Sequence, residues 1–219
     1  MRPAVVRRAR RLAGRVLRRL QGGPAAAHGE KPQSFYDDAF EHVESYHVHY
    51  TRSEYYAVWT VVIDRIRRAG SKRVLDIGCG PGQFAHALFD ARLVEAYHGV
   101  DLSRVGVERA QRTVPAFTFE HCDIFASRAI ETQRYDTLVT TEFLEHVERE
   151  LDVLERVPAG TRVIATVPNF PYVSHVRHFD DVDAVRARYG RFFEGLTVDP
   201  IRKTERGNIL FLMEGVRAG

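Results

Sequence analysis

The chain has 219 residues, 44% of them apolar and 28% charged, enough for one domain with a full core and too few for two of ordinary size. Two cysteines, Cys79 and Cys122, provide no disulfide framework and lack the spacing partners of a zinc site, which fits a reducing compartment such as the cytoplasm. The formal charge of +3 is uneven: residues 1–31 carry eight arginines and Lys31 against Glu30, a net of +8, and the remainder holds 23 basic and 28 acidic groups, a net of −5.

Residues 1–33 read as a basic tail. Val5, Val6, Ala9, Leu12, Ala13, Val16, Leu17 and Leu20 thread between the arginines at helical spacing, and Gly22-Gly23-Pro24 then breaks the pattern. Such a segment is either a solvated leader or a basic amphipathic helix that meets an anionic membrane surface or nucleic acid. It lacks the uninterrupted apolar stretch of a secretory signal, and no run of about 18 apolar residues occurs anywhere. A cytoplasmic protein with peripheral membrane association as an option is the expectation.

Residues 34–71 read as two helices, one capped by Ser34 and one by Ser53 that runs to Gly70, with Phe35, Tyr36, Phe40, Tyr46, Tyr50, Tyr55, Tyr56 and Trp59 making the segment dense in aromatics. Residues 72–219 then alternate strand and helix. Strands are expected at 74–77, 97–102, 117–125, 135–141 and 161–167, helices at 83–91, 144–157 and 180–189, and a terminal hairpin at 197–204 and 208–216 around Gly207-Asn208.

The first strand carries the sharpest signal. Val74-Leu75-Asp76-Ile77 runs into Gly78-Cys79-Gly80-Pro81-Gly82, the pattern of a buried strand entering a turn where a ligand touches bare backbone ahead of a helix N-terminus. A dinucleotide fingerprint needs a glycine at position 83, which is Gln, and no Gly-Lys-Ser/Thr follows to make a phosphate loop. The D-x-G-x-G-x-G of Asp76, Gly78, Gly80 and Gly82 resembles the first motif of the class I S-adenosylmethionine-dependent methyltransferases.

That resemblance implies an α/β fold: a Rossmann-like seven-stranded sheet, mostly parallel with an antiparallel last strand, helices on both faces, and an N-terminal helical lid over the pocket. It implies S-adenosylmethionine as cofactor, gripped by Asp76, Gly78, Cys79, Gly80 and Gly82. Asp101 and Leu102 at the second strand end fall to the ribose, Asp123 and Ile124 to the adenine, and Thr141 lies near the emerging methyl group. In the lid it points to Tyr46, His49, Tyr50 and Arg52.

Methyl transfer from a sulfonium needs alignment and removal of the acceptor's proton, so a base is sought near residue 142. On a helix Glu142, Glu145 and His146 would share one face. Two readings stand: His146 as general base with a carboxylate holding its tautomer, or Glu142, Glu145 and His146 as ligands of a divalent cation such as Mg²⁺. The E-x-x-E-H segment resembles that of quinone-biosynthesis O-methyltransferases and of small-RNA 3′-terminal 2′-O-methyltransferases. After the fifth strand, His175 and His178 are further candidate catalytic groups, and Arg177 suits an anionic acceptor. The net acidic body favours a small-molecule hydroxyl acceptor, on a natural product of biosynthesis, a quinone or phenol, or a sugar. RNA methylation through the basic tail and a non-catalytic protein retaining the fold are the alternatives.

Overall fold

The computed structural model describes residues 29–203 and 207–219. The expected amphipathic helix and glycine-rich linker of the tail lie outside them. In chain order the helices are α1 (Gln33–His42), α2 (Tyr56–Ala69), α3 (Gln83–Ala91), α4 (Arg104–Thr113), α5 (Ala129–Thr132), α6 (Glu150–Arg156) and α7 (Val182–Tyr189). The strands are β1 (Arg73–Ile77), β2 (Ala96–Asp101), β3 (Thr118–His121), β4 (Thr137–Thr140), β5 (Arg162–Pro168), β6 (Phe193–Arg202) and β7 (Ile209–Arg217).

Alternation of side chains along the strands sets the layers. Val74, Val139 and Ile164 share one apolar cluster with Trp59, Val62 and Ile66 of α2 and Phe84 and Leu88 of α3. Leu75, Ile77, Leu138, Val163 and Ala165 join the other with Ile130 of α5, Val153 and Leu154 of α6 and Val185 of α7. Central strands apolar on both faces must be covered on both, so helices flank the sheet on each side.

The sheet order is β3-β2-β1-β4-β5-β7-β6, with β1 to β5 mutually parallel and β7 antiparallel to both of its neighbours. This is the seven-stranded Rossmann-like arrangement expected. From β1 the chain runs outward through β2 and β3, then returns to pair β4 on the other side of β1. The carboxyl ends of β1 and β4 therefore flank the crevice where ligands sit in open α/β sheets. Among the described residues no helix is long and apolar enough to cross a membrane.

Several boundaries differ from the sequence reading. A helix over 144–157 is expected from its apolar stripe; instead a 3-10 turn spans Leu144–His146 and α6 begins only at Glu150. The cause is Arg177, whose guanidinium donates to the carbonyls of Leu144, Val147 (2.6 Å) and Glu148 (3.1 Å), groups a continuous helix would keep for itself. Arg177 also pairs with the buried Glu150 at 2.8 Å, so it is a structural clamp and not a binder of an anionic acceptor. The third strand ends at His121, because Asp123 Oδ1 accepts Phe125 N–H at 2.9 Å and the Asp123 carbonyl accepts from Ala126 and Ser127, a turn in place of a ladder. Ser34 lies inside α1 rather than capping it, behind Pro32, while Gly70 closes α2 in the left-handed region (φ 67°) as expected.

Of the expected helical lid, α1 and the turns after it lie over the crevice. Asp37 Oδ1 ties α1 to the start of α4, accepting Ser103 Oγ–H at 2.6 Å and Val105 N–H at 3.1 Å. The second helix, α2, is mainly core, with Val62 and Ile66 fully buried.

Gly82 precedes α3 with φ 80°, and a Cβ there would come within 2.7 Å of Ala110 Cβ and 2.8 Å of its Cα on α4. Gly160 has a similar φ of 82° with open space around it. Gly160→Ala therefore tests the conformational cost alone, about 1–2 kcal/mol, and Gly82→Ala should lose roughly 1–3 kcal/mol more from overpacking. Equal urea midpoints for the two variants would refute that helix contact.

Candidate active site

Residues 78–82 leave β1 through three positive-φ glycines, Gly78 (81°), Gly80 (52°) and Gly82 (80°). The Val100 carbonyl at the end of β2 accepts Gly78 N–H at 2.8 Å and Cys79 N–H at 3.2 Å. Asp101 finishes the stitching: its Oδ2 accepts Gly80 N–H and its Oδ1 accepts Ser103 N–H, both at 2.7 Å. The turn and the second strand's acid are thus one rigid unit. Burial drives Asp101 up to about 6, against the two amide hydrogen bonds that pull it down.

A cavity of about 700 Å³ opens from this turn. Asp76, Gly78, Cys79, Gly80, Asp101, Leu102, Asp123, Ile124 and Thr141 all line it. Gly82 does not; its role is the approach of α3 to α4. Asp76 is 2% exposed, its Oδ2 accepts the Tyr97 hydroxyl hydrogen, and its Oδ1 has no hydrogen-bond partner. Desolvation raises it to about 7, with the neighbouring Asp101 adding to the push and the Tyr97 hydrogen bond opposing it. An orphaned buried carboxylate oxygen facing a cavity is a place where a cationic ligand group would be welcome.

The far wall holds a second constellation. His146 Nδ1 lies 2.9 Å from the Ser174 carbonyl, and His175 Nδ1 lies 3.0 Å from the Phe170 carbonyl. A carbonyl only accepts, so each Nδ1 carries the proton and each Nε2 keeps a lone pair. The two rings are 5.0 Å apart, and Glu145 Oε1 is 3.9 Å from His146 Nε2. Burial lowers both imidazoles, His146 to about 4 and His175 to about 3, so both are neutral at pH 7. Glu145 is fully buried with neither oxygen hydrogen-bonded, and desolvation followed by repulsion from Glu142 raises it well above the usual carboxylate range.

Not every candidate joins this group. Glu145, His146 and His175 bring ligand atoms within 4.8 Å of one another; Glu142 is not among them. Glu142 sits at φ 55°, a left-handed conformation rare for a side chain of its size. There its N–H donates to Thr166 Oγ1 at 3.0 Å and its carboxylate faces Lys203 Nζ at 3.8 Å. His178 is exposed and lines no part of the cavity. Of the lid residues, Tyr46 lines the cavity, whereas His49, Tyr50 and Arg52 do not.

Lys203 and Glu54 were not foreseen. Lys203 Nζ donates to the Tyr55 hydroxyl at 2.7 Å and lies 3.7 Å from Glu54 and 3.8 Å from Glu142. In the sequence Lys203 lies near the end of the expected strand 197–204, with no local sign that its side chain reaches the pocket.

A family profile described as "Methyltransferase domain" matches residues 75–160. The fold is similar to magnesium protoporphyrin IX methyltransferase from Synechocystis PCC 6803, solved with bound SAM (TM-score 0.63, 18% identity, 90% of this chain and 100% of that one). It is also similar to the N-methyltransferase NodS from Bradyrhizobium japonicum WM9 in complex with S-adenosyl-L-homocysteine (TM-score 0.56, 15% identity, 75% and 88% covered). A third similar fold is the methyltransferase domain of bacterial CtHen1 (TM-score 0.57, 19% identity, 75% and 100% covered). Among curated proteins, a probable nonribosomal peptide synthetase, CymA, of Salinispora arenicola (strain CNS-205) is 30% identical over 129 residues, 53% of this chain. The chain spans 2% of the length of that curated relative. Residues 75–160 thus match a methyltransferase-domain profile, and the sheet around them has the Rossmann-like fold that these solved methyltransferases share.

Asp76 yields a pH test of stability. Its folded value, raised from 3.8 to about 7, means the folded state holds the proton longer than the unfolded chain, so its contribution to stability falls as pH rises through that window. Asp76→Asn removes the titration while keeping an acceptor for Tyr97. Relative to wild type, the variant should gain stability between pH 4 and pH 7 in urea unfolding. A pH-independent difference would show that Asp76 is not strained by its burial.

Proposed function

We propose that this protein transfers a methyl group from S-adenosylmethionine to a hydroxyl oxygen of a small molecule. The observation that carries the reading is the pair of tautomer-locked imidazoles, His146 and His175, on the wall of the cavity that begins at the glycine turn. The close backbone approach that the glycine turn allows and the Asp76 carboxylate suit the methionine end of the cofactor, Asp101 its ribose hydroxyls, and Asp123 and Ile124 its adenine. The cofactor supplies an activated methyl group on a sulfonium, which leaves by in-line displacement.

The protein's own work is then proton removal and alignment. With the cofactor bound, His146 Nε2 would take the acceptor's hydroxyl proton as its oxygen gained the methyl group, the carbon–sulfur electron pair staying on sulfur. Phe35, Tyr36, Tyr46, Tyr55, Phe170 and Tyr172 surround the space beside it, a lining suited to an aromatic or otherwise flat acceptor. Six acids, Glu30, Glu54, Asp76, Asp101, Asp123 and Glu142, line the cavity against Lys31 and Lys203, which disfavours a phosphate-rich acceptor such as RNA.

A divalent cation is the second reading, favoured by the unpartnered Glu145 carboxylate. The residues fit one: Glu145, His146 Nε2 and His175 Nε2 form a two-imidazole, one-carboxylate set, which suits Zn²⁺ or another transition ion better than the oxygen-seeking Mg²⁺. Such an ion would lower the pKa of an acceptor hydroxyl.

Asp101→Asn should abolish S-adenosylhomocysteine binding in calorimetry, and wild-type affinity should fall as pH drops through about 6 while Asp101 takes up its proton. His146→Ala should keep that binding and lose turnover by about 10²–10⁴-fold, measured with labelled cofactor across a panel of phenols and sugars. Retained turnover in His146→Ala would remove it as the base. Dialysis against a chelator followed by Zn²⁺, Mn²⁺ or Mg²⁺ return separates the two readings: full activity in the stripped protein ends the metal proposal and leaves the imidazole base.

A further inference from the structure

His49 and Tyr50, which take no part in the cavity, belong to a separate cluster on the outer side of the lid. His86 and Asp90 are four residues apart on α3 and present one face, with His86 Nε2 3.7 Å from Asp90 Oδ2. His49, from the loop just before the 3-10 turn Tyr50–Arg52, stacks edge-on against His86 with ring centroids 5.0 Å apart. Ligand atoms of all three lie within 4.8 Å of one another.

Two of the three candidate ligands are already held by a neighbour. The Tyr50 hydroxyl donates to Asp90 Oδ2 at 2.8 Å. His49 Nδ1 is engaged in its own turn, 2.9 Å from Thr51 Oγ1 and 3.4 Å from Thr51 N, which leaves Nε2 as the ring nitrogen for an ion. Gln83, at the start of α3, donates its amide hydrogens to the carbonyls of Ser45 (3.2 Å) and Val48 (2.8 Å), fixing the same loop to the same helix. Outer partners of this kind are what orient metal-binding imidazoles and carboxylates.

We infer that His49, His86 and Asp90 form a transition-metal site that clips the lid loop to α3. Two imidazoles and one carboxylate suit Zn²⁺ and related ions, with water completing the shell. Tetrahedral ligands around zinc stand about 3.4 Å apart, so closing the present separations needs only small side-chain rotations on an accessible surface. When Nε2 of His49 takes the ion, its ring proton sits on Nδ1 and donates to Thr51 Oγ1, and the longer amide contact is given up. The clipped segment also carries Tyr46, Glu54 and Tyr55 into the cavity.

The test is titration of the full chain with Zn²⁺ by calorimetry and with Co²⁺ by visible absorption, using wild type, His49→Ala, His86→Ala and, as the cavity control, His146→Ala. A site that survives in His146→Ala and weakens about tenfold or more in both lid-side variants supports the clip. So does a Zn²⁺-dependent rise in Tm that the lid-side variants lose. Zn²⁺ binding as tight in His86→Ala as in wild type overturns it, as does binding lost only in His146→Ala, which would assign the ion to the cavity. S-adenosylhomocysteine binding by the same proteins reads the methyltransferase proposal separately.

Discussion

The backbone between β1 and α3 is the constraint on which the remainder rests. Three glycines at every second position take positive φ, and the amides of Gly78, Cys79 and Gly80 are tied to the end of β2 through Val100 and Asp101. Side chains are excluded there for separate reasons: at Gly78 a Cβ would come within 3.0 Å of Phe143, and at Gly82 it would enter α4. The turn therefore fixes the position of the β4 loop on one side and of α4 on the other. Everything that faces the cavity is placed relative to it.

Around this frame the acids divide by environment. Asp76 is buried and Asp101 half-buried beside the same turn, and desolvation pushes both up. On the opposite wall Glu145 is stranded beside two neutral imidazoles, while Glu142 has been diverted to Lys203. The diversion depends on the left-handed conformation of Glu142 and on Arg177, which draws the carbonyls of the 144–148 segment out of helical register. A structural arginine thus decides which carboxylate meets the histidines.

The lid works on two sides. Its inner face supplies Tyr36, Tyr46 and Tyr55 to the cavity, and α1 is pinned to α4 by Asp37. Its outer face presents His49 to His86 and Asp90. The segment between them is short and tied to α3 by Gln83.

Much of the fold was legible in the residues themselves, because local signals and global packing agree. The apolar strands, the glycine turn and the Gly70 helix stop are conformational demands expressed within a few residues, and the order of strands and helices leaves few ways to wind the sheet. Most of the expected cofactor-side positions reach one cavity for the same reason, since they stand at or just beyond strand ends. The opposite wall depended on contacts between residues far apart in the chain. Helical periodicity over 144–157 put Glu142, Glu145 and His146 on one face, yet Arg177 broke that helix, brought His175 to His146 and left Glu142 to Lys203. Hydrophobic spacing reports what a segment prefers alone; which side chain meets which across the crevice is settled by tertiary hydrogen bonds worth as much as the helix they replace.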